Sequence, residues 1–484
     1  LVQFEERWKA LGAPTGSAGR QVDQQLVGAM IARVRWELEV TQGYRRNPQF
    51  YVDQTLGALV EGLLPPPPFG ERRSADLLAR LSAFPRVIEE AKANLDDARA
   101  PFARLAVEEL RDVGPRLRSA MADLGPRLPS QAQRALGPAT EKAMAALDRY
   151  RQWLETRLPT MGSESAVGRD AYRFFLREVA LVPFSPEELL AMGRQEWERA
   201  ASFEAYEKNR NRGLPEMPLF KDVATQIAAE AEDERAVRRF LADQALLTLP
   251  DTMPHYVYLP LPGYLRHLSG FGEGSEFTSP TRLTESSTRY VPEPRPDLGY
   301  FSLSMARDPR PIIVHEGVPG HYAQLWLSWQ HENEIRRRYV DSGPSEGIGF
   351  YAEELLLQAG LFDDRPKTRE VIYNFMRLRA LRVEVDVKLA TAQFSIEEAG
   401  EYLARTVPMD RKTARDEAAL FASTPGQAIT YQIGKLQVLR FLAEARRAKG
   451  AAFHLRAFHD SLWRNGNVPI ALQEREYLES TGTP

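Results

Sequence analysis

Cysteine is absent from the chain, and histidine is scarce, with seven among 484 residues. The absence of cysteine excludes disulfides, thiolate nucleophiles and cysteine-ligated structural zinc. Any metal ion would therefore have to be bound by histidine and carboxylate side chains. The same absence fits any cellular compartment, so it does not locate the protein.

The chain also lacks a long hydrophobic segment and an excess of one charge. No apolar run reaches the roughly 18 residues that a membrane-spanning helix needs, so we expect no transmembrane segment. Lysine plus arginine (63) nearly balance aspartate plus glutamate (66), for a net charge of −3. Because no basic stripe with interleaved aromatic residues stands out, nucleic acid is not an expected partner. The oligomeric state is left open.

What the chain does contain is mostly helical sequence. Residues 1–160 are rich in Ala, Leu, Arg and Glu, contain no histidine and are interrupted by the tetraproline Pro65–Pro68. We interpret them as an N-terminal helical lobe. Residues 161–484 are interpreted as a helical catalytic region, in which Ser185-Pro186-Glu187-Glu188 is a capping-box helix start. We expect the two parts to form one continuous structural unit.

Residues at about 250–310 differ from the rest, because prolines alternate there with aromatic and β-branched residues. This pattern predicts short strands and loops, and hence a small β layer. Within it, Gly299–Met305 alternates in polarity and is predicted to be a strand. An extended peptide could add to the edge of such a strand, so we count Tyr300 among the candidate substrate-binding residues. An ordinary structural strand is the alternative.

Two of the histidines lie in the segment Pro311-Ile-Ile-Val-His315-Glu316-Gly-Val-Pro-Gly-His321. It is close to the His-Glu-x-x-His pattern of zinc hydrolases, in which two imidazoles bind the metal and the glutamate handles a proton of water. Two extra residues separate the histidines, and side chains six apart do not share a face of an unbroken helix. The intervening Pro319-Gly320 is suited to break or bulge a helix. We therefore interpret the segment as a zinc-site helix with a kink.

A catalytic zinc site also needs a third protein ligand and an open position. Glu346 is the leading candidate, because it starts the next predicted helix 25 residues after His321 and an αα-hairpin could return it beside the first helix. Glu353, two turns further on the same face, could hydrogen-bond a ligand imidazole. Glu316 directly follows His315 and is the expected general base and acid. A lone His-Glu pair is common, so the case depends on these features occurring together.

Four further candidates have structural alternatives. Tyr431 and Lys435 lie four apart on one predicted helical face, where the tyrosine hydroxyl could stabilise a developing oxyanion or could simply pack in the core. Arg379 and Arg382, the latter four residues before Asp386, could clamp a substrate carboxylate or form structural ion pairs.

Three motifs in this order resemble the bacterial domain-of-unknown-function family 885: His315-Glu-Gly-Val-Pro-Gly-His321, Glu346-Gly-x-x-x-Tyr351-x-Glu353-Glu354 and Pro425-Gly-Gln-x-x-x-Tyr431-x-Ile-Gly434. The likeness runs from about Gly168 to the C-terminus. The family often has another histidine at the position of Tyr322, and its absence here favours His321 as the ligand. Members are regarded as metallopeptidase-like, and many are secreted or lipid-anchored. The resemblance thus favours a secreted, periplasmic or lipid-anchored location, although a cytoplasmic one is also compatible with the sequence.

The segment from Glu346 to Glu353 is also similar to the third-ligand helix of the thimet-oligopeptidase-like gluzincins. In that group, and in Taq-type carboxypeptidases, a late tyrosine-bearing helix helps to hold the substrate carbonyl, which implies this role for Tyr431. The two-residue insertion between the histidines departs from their pattern. The resemblance implies a large, two-lobed, helical metallopeptidase-like fold with a deep channel that admits short peptides.

The sequence is therefore interpreted as a mostly α-helical zinc hydrolase, most consistent with a peptidase that cleaves short or unfolded peptides. One Zn²⁺ per chain is expected on His315, His321 and Glu346, with Glu316 and Tyr431 as catalytic residues. The remaining candidates for supporting or substrate-binding roles are Glu353, Lys435, Arg382, Arg379 and Tyr300. One alternative is a zinc hydrolase of a non-peptide amide or ester, and another is a non-catalytic helical binding protein that retains the scaffold.

Overall fold

The computed structural model describes residues 1–12, 15–272 and 275–481, which are mostly helical as the sequence predicts. The helices before the first strand are α1 (Val2–Ala10), α2 (Ala18–Arg35), α3 (Gly43–Arg46), α4 (Gln49–Val52), α5 (Ala58–Leu63), α6 (Glu71–Asn94), α7 (Ala100–Leu110), α8 (Val113–Leu124), α9 (Ser130–Arg157), α10 (Arg169–Phe174), α11 (Pro186–Arg210) and α12 (Val223–Asp243).

The second series of helices contains the predicted zinc-site segment. It comprises α13 (Gly263–Arg266), α14 (Tyr300–Met305), α15 (Arg310–Ile312), α16 (His321–Ser328), α17 (Glu334–Arg338), α18 (Ser342–Ala359), α19 (Pro366–Ala390), α20 (Ile396–Thr406), α21 (Arg411–Ser423), α22 (Ile429–Lys449), α23 (Leu455–Arg464) and α24 (Ile470–Thr481). Turns of π-helix lie at Trp36–Thr41, Asp53–Gly57, Phe175–Val179 and Ile313–Gly317, and 3₁₀ turns at Gly125–Arg127, Leu158–Thr160 and Gly450–Ala452.

The predicted β layer is a small sheet of β1 (Val257–Pro260), β2 (Ser275–Glu276) and β3 (Thr288–Val291) in the order β1-β3-β2. β1 runs parallel to β3, and β2 runs antiparallel to it. The N-terminal helices share one hydrophobic core that also takes in Tyr264 and Tyr290 from this region. A second core joins α16, α18 and α22 and surrounds the zinc-site segment. Across the described residues, no helix has the length and hydrophobicity needed to cross a membrane.

The capping box predicted at Ser185 is confirmed, and it depends only on residues close together in the chain. The hydroxyl of Ser185 accepts from the backbone N–H of Glu188, and the Glu188 carboxylate accepts from the backbone N–H of Ser185. Ser395 and Glu398 form the same pair of hydrogen bonds. These capping boxes satisfy backbone donors that have no partner inside the helix. They begin α11 and α20.

The strand predicted at Gly299–Met305 is wrong, because the structure has the short helix α14 there. An alternating segment this short also fits a single helical turn. A strand needs a hydrogen-bonded neighbour, and the last strand of the sheet ends at Val291, before this segment begins. Leu303 instead donates its backbone N–H to the carbonyl of Gly299. Tyr300 therefore offers no strand edge to a peptide; its hydroxyl donates to Asn374, and its ring packs on Phe375.

The helix predicted to start at Glu346 starts earlier, at Ser342, with Asp341 as the N-cap residue. The Asp341 carboxylate accepts from the backbone N–H of Gly343, 2.7 Å away. Pro344 does not break this helix, because a first-turn residue has no intrahelical acceptor for the N–H that proline lacks. Glu346 is consequently held in regular helix rather than at a frayed end.

Two long helices of the second core, α18 and α22, cross at glycines. A Cβ atom on Gly434 would lie 2.6 Å from both the carbonyl oxygen of Gly343 and the Cα of Gly347. Real Cβ contacts do not approach so closely, so the two backbones touch only because side chains are missing at this crossing.

We therefore expect Gly434→Ala to lower the melting temperature, because overpacking of this kind costs about 1–3 kcal/mol. Gly213→Ala is the control: Gly213 is exposed, and nothing lies within 4 Å of a Cβ built there. That change should leave stability unchanged or raise it by about 0.4–1 kcal/mol. Thermal unfolding followed by circular dichroism compares the two. Equal melting temperatures for both variants would contradict the close crossing.

Candidate metal centre

The two histidines of the kinked segment are brought together by an interruption of the helix. His315 lies in the π-helical turn Ile313–Gly317, the Val318–Pro319 peptide bond is cis, and α16 begins at His321. A Cβ on Gly320 would fall 1.8 Å from the carbonyl oxygen of His315, so only glycine fits where the chain doubles back. The imidazole centroids are 4.7 Å apart, with the ring planes at 75°.

Glu346 of α18 completes the group. Its Oε2 atom lies 3.3 Å from Nε2 of His315 and 3.3 Å from Nε2 of His321. One ligand atom from each of the three residues falls within 4.8 Å of the others. Gly349, one turn further along α18, faces both rings, since a Cβ there would be 3.2 Å from Cε1 of each imidazole. The absence of a side chain at Gly349 thus lets both rings approach the helix.

The donor set fits a divalent metal ion such as zinc. Metal–ligand distances of about 2.0–2.2 Å in a tetrahedral site place neighbouring ligand atoms about 3.3–3.6 Å apart, which matches the 3.3 Å separations at Glu346 Oε2. Direct charge-assisted hydrogen bonds between imidazolium and carboxylate are shorter, at about 2.7–2.9 Å. Two neutral imidazoles and one carboxylate are also the ligand types that zinc takes when thiolates are lacking.

The other nitrogen of each imidazole has its own partner. Nδ1 of His315 lies 2.7 Å from Oε1 of the fully buried Glu353, which in turn pairs with Arg379 at 2.8 Å. Nδ1 of His321 lies 3.1 Å from the hydroxyl oxygen of Ser345. A carboxylate at Nδ1 holds the proton there and leaves the lone pair on Nε2. Both imidazoles are thus oriented with Nε2 toward Glu346.

Electrostatics at the group favour positive charge. Burial and the nearby positive charge of Arg379 oppose the change, but the carboxylates of Glu346 and Glu353 raise the pKa of His315 to about 9. Burial likewise opposes the shift at Glu346, where His321 and His315 hold the pKa well below the usual range for a carboxyl group. A cation between these side chains is therefore stabilised by two carboxylates that burial has removed from water.

Tyr431 lies beside the group, on α22. Its ring is nearly parallel to that of His315, with centroids 6.2 Å apart, and the guanidinium of Arg382 sits 4.5 Å from the Tyr431 centroid on the ring face. Burial raises the pKa of Tyr431 above its usual value, followed by a contribution from Glu346. The phenol therefore keeps its proton at neutral pH and remains a hydrogen-bond donor.

The two arginines singled out in the sequence form structural ion pairs. Arg379 pairs with Glu353, and Arg382 pairs with Glu417 of α21, with 3.1 Å between Nε and Oε2. Their charges are thus matched inside the protein, which favours the structural alternative over a carboxylate clamp. Asp386 is not the partner of Arg382. It accepts from the backbone N–H groups of Gly426, Ala428 and Ile429 and so holds the turn that precedes α22.

Lys435 and Tyr300 lie apart from the three candidate ligands. The ammonium of Lys435 is fully buried, 2.7 Å from Glu354 and 3.4 Å from Glu196. It therefore joins α22 to α18 and α11 rather than facing a substrate. Tyr300, as described above, contacts Asn374 and Phe375 on α19.

Glu316 is half-buried and lines a narrow gap, too small to admit water, together with Glu230, Tyr258 and Arg289. Burial lowers the pKa of Arg289, but nearby negative groups, Glu316 first among them, outweigh that effect and raise it. Burial raises the pKa of Glu230 to about 7. Glu316 thus faces a positive charge, on β3, that the sequence did not suggest.

Several residues at the centre were missed by the sequence reasoning. Ser345 directly precedes a predicted ligand, so its position on the helix could have suggested it. Gly349 lies three residues after Glu346, on nearly the same helical face, and could also have been found. Glu417 and Arg289 come from distant parts of the chain, and no local pattern connects them to the histidines.

Fold and site together define a mostly helical protein in which two histidines and a glutamate, on three separate turns of helix, form a possible metal-binding cluster. The chain belongs to the family described as "Bacterial protein of unknown function (DUF885)", whose family model matches residues 4–476. The family resemblance is therefore confirmed. The match starts far ahead of Gly168, so the N-terminal helices belong to the family as well.

Two solved structures share the fold, and both are of proteins described as putative lipoproteins. The one from Shewanella oneidensis, of unknown function, has a TM-score of 0.70 at 15% identity, covering 97% of this chain and 90% of that one. The one from Colwellia psychrerythraea has a TM-score of 0.71 at 18% identity, covering 88% of this chain and 78% of that one. No curated protein matches the chain.

The contacts of Glu353 predict that the variant Glu353→Gln binds zinc less tightly. We expect its zinc affinity to fall about 10–100-fold, because the carboxylate that orients His315 is gone. The neighbouring Glu354→Gln is the matched control: Glu354 is also buried and ion-paired, but with Lys435 and Arg199. Both variants should melt lower, since each leaves a buried cation without its charge partner. Competition titration with a chromogenic chelator measures the affinities, and equal zinc affinity in the two variants would refute the role of Glu353.

Proposed function

We propose that the protein is a zinc-dependent hydrolase, and specifically a peptidase that acts on short or unfolded peptides. The observation that supports it most strongly is the convergence of both imidazole Nε2 atoms on one oxygen of Glu346, with each Nδ1 atom engaged elsewhere. Three protein ligands from His and Glu are the number that leaves a zinc ion an open position for catalysis.

In this proposal, His315, His321 and Glu346 hold the zinc, while Glu353 and Ser345 keep the two imidazoles in register. When bound, zinc activates water for attack at neutral pH and polarises a carbonyl oxygen.

In the proposed reaction, Glu316 transfers the proton and Tyr431 stabilises the negative charge that develops on the carbonyl oxygen. Glu316, which follows His315 directly in the chain, would accept a proton from the attacking water and pass it to the leaving amine. Tyr431 donates its hydroxyl hydrogen to the oxygen of the scissile carbonyl as negative charge develops there. Its raised pKa keeps that hydrogen in place. Arg382 on the ring face and the Asp386-bound turn before α22 hold the phenol.

The relatives bear on location as well as on fold. Both similar structures are of proteins described as putative lipoproteins, which is consistent with a secreted or lipid-anchored protein. We propose that location for this chain too.

We expect about one zinc per chain in protein purified without metal-chelate resin, and a large loss of zinc in His321→Ala. His331→Ala is the control, because His331 lies outside the group and accepts from the backbone N–H of Asn333. Elemental analysis gives the stoichiometry. Full zinc occupancy in His321→Ala would show that the ligand set is wrong, and a metal-free parent that cannot be loaded would favour a non-catalytic binding protein.

Glu316→Gln separates catalysis from metal binding. The amide keeps the size of the side chain but cannot accept the proton, so the rate should fall by about 10² to 10⁴, while zinc content stays near that of the parent. The melting temperature should fall, because the buried Arg289 loses its foremost negative neighbour. The control is Glu332→Gln, because the side chain of Glu332 is exposed. Rates are measured with a pool of internally quenched peptides.

Two results would overturn this part of the proposal. Loss of zinc in Glu316→Gln would make Glu316 a ligand, and parental turnover would remove it from the mechanism. Hydrolysis of small amides or esters in place of every peptide would identify the alternative substrate class.

A further inference from the structure

The turn between the two histidines is held from outside by α23. The indole N–H of Trp463 donates to the carbonyl oxygen of Pro319, 2.7 Å away. Pro319 is buried, and no other described residue donates to this oxygen. The first backbone bond of α16 runs from the N–H of Gln324 to the carbonyl of Gly320, so the helix does not supply a donor to Pro319 either. A buried backbone carbonyl needs a partner, and here a side chain from another helix provides it.

The bond to Pro319 acts on the part of the chain that sets the spacing of the histidines. A peptide group is planar, so fixing its oxygen also fixes the direction in which the chain continues. Pro319 lies four residues after His315 and two before His321. The turn is tight, since a Cβ on Gly320 would fall 1.8 Å from the carbonyl oxygen of His315. A change in the direction of this peptide group therefore moves one imidazole relative to the other.

α23 also contacts α18, the helix that carries Glu346. Nε2 of His459 lies 2.8 Å from the hydroxyl oxygen of Tyr351, and Nδ1 of His459 lies 2.7 Å from the carbonyl oxygen of Leu246. Burial lowers the pKa of His459 to about 4, so the ring is neutral at neutral pH. Because a carbonyl oxygen only accepts, Nδ1 carries the proton and Nε2 accepts from the Tyr351 hydroxyl. Tyr351 lies about 140° around the helix from Glu346, so this bond holds α18 on a different side from the imidazoles.

The side chains of α23 that make these contacts are tightly enclosed. Trp463 is 1% exposed, and its ring centroid is 5.5 Å from that of His459 and 6.4 Å from that of Tyr351. Trp463 and Tyr351 belong to the core that surrounds the zinc-site segment. Close-packed interiors transmit strain rather than absorb it. A shift of α23 therefore displaces both the turn between the histidines and α18.

We infer that α23 holds the two histidines and Glu346 at the spacing that a metal ion requires, and that Trp463 is a positioning residue for this centre. Trp463 acts through the peptide group of Pro319. The inference rests on the proposed function for the identity of the ion, because zinc is the metal proposed for these ligands.

Trp463→Phe removes the indole N–H and leaves the buried carbonyl of Pro319 without a donor. We expect its zinc affinity to fall about tenfold or more, as for other groups that orient metal ligands. Trp326→Phe is the matched control: Trp326 is 3% exposed, and its indole N–H donates to the carbonyl of Leu283, 2.9 Å away. Both variants should melt lower, because each leaves a cavity. Competition titration with a chromogenic chelator should give near-parental zinc affinity for Trp326→Phe alone.

The control is stringent, because Trp326 lies five residues after His321 on α16 itself. General loosening near the centre would therefore weaken zinc binding in Trp326→Phe as well.

A second pair of variants tests the same inference if a tryptophan variant does not fold. Tyr351→Phe removes only the hydroxyl that donates to His459, and its zinc affinity should fall. Tyr322→Phe is its control, since the buried hydroxyl of Tyr322 donates instead to the carbonyl of Pro254, 2.8 Å away. Parental zinc affinity in Trp463→Phe and Tyr351→Phe, or equal losses in each variant and its control, would overturn the inference.

Hydrogen exchange of the metal-free protein separates this inference from the proposed function. Local opening of the turn speeds exchange of its amides, so the peptide that spans residues 313–320 should exchange faster in Trp463→Phe than in the parent or in Trp326→Phe. If the parent takes up no zinc but exchange differs in this way, the support from α23 stands and the zinc hydrolase is wrong. If the parent takes up zinc but exchange and affinity are the same in both variants, the support is wrong and the zinc site stands.

Discussion

The close crossing of α18 and α22 at Gly347 and Gly434 is the constraint on which the centre depends. A Cβ on either glycine would come within 2.7 Å of backbone atoms of the other, so the helix axes can approach only with hydrogen atoms at these positions. α18 carries Glu346, Gly349 and Glu353 on one face, and α22 carries Tyr431. The crossing therefore holds the helix that carries Tyr431 against the helix that carries Glu346.

Charge balance supports the same arrangement. Arg379 and Arg382 beside the centre, and Lys435 further along α22, are buried cations that each have a carboxylate partner: Glu353, Glu417 and Glu354 respectively. Burial opposes the shift, but Lys435 and Arg199 lower the pKa of Glu354 to about 2, so this carboxylate stays charged across the neutral range. Because these pairs are complete, Glu346 is left to face the two imidazoles. A cation bound there would balance the one carboxylate of the group that no arginine or lysine neutralises.

The comparisons establish the family and the fold, and the chemistry has to be argued from the site. Proteins that share a fold at 15–18% identity can differ in function. What supports a metal centre in this chain is local geometry: the 3.3 Å separations at Glu346 and the partners of each Nδ1 atom. These are properties of this chain rather than of its family description.

The sequence alone determined the features that depend on neighbours along the chain. The composition and pattern indicated a mostly helical chain, Ser185 marked one helix start, and Pro319-Gly320 marked the interruption between the histidines. The spacing of Glu346 and Glu353 was sufficient to place both on one face of α18, since helix geometry is local. The predicted strand at Gly299–Met305 was wrong because an alternating pattern this short does not reveal whether a neighbouring strand is available to pair with it.

Only the tertiary structure decided which distant residues meet. The partner of Arg382 is Glu417 rather than the nearby Asp386, and Arg289 on β3 faces Glu316, although neither contact has a local signal. Trp36 and Gln437, which are separated by most of the chain, line the same cavity. Such contacts follow from how helices pack against one another, and packing is a property of the whole core rather than of any one segment.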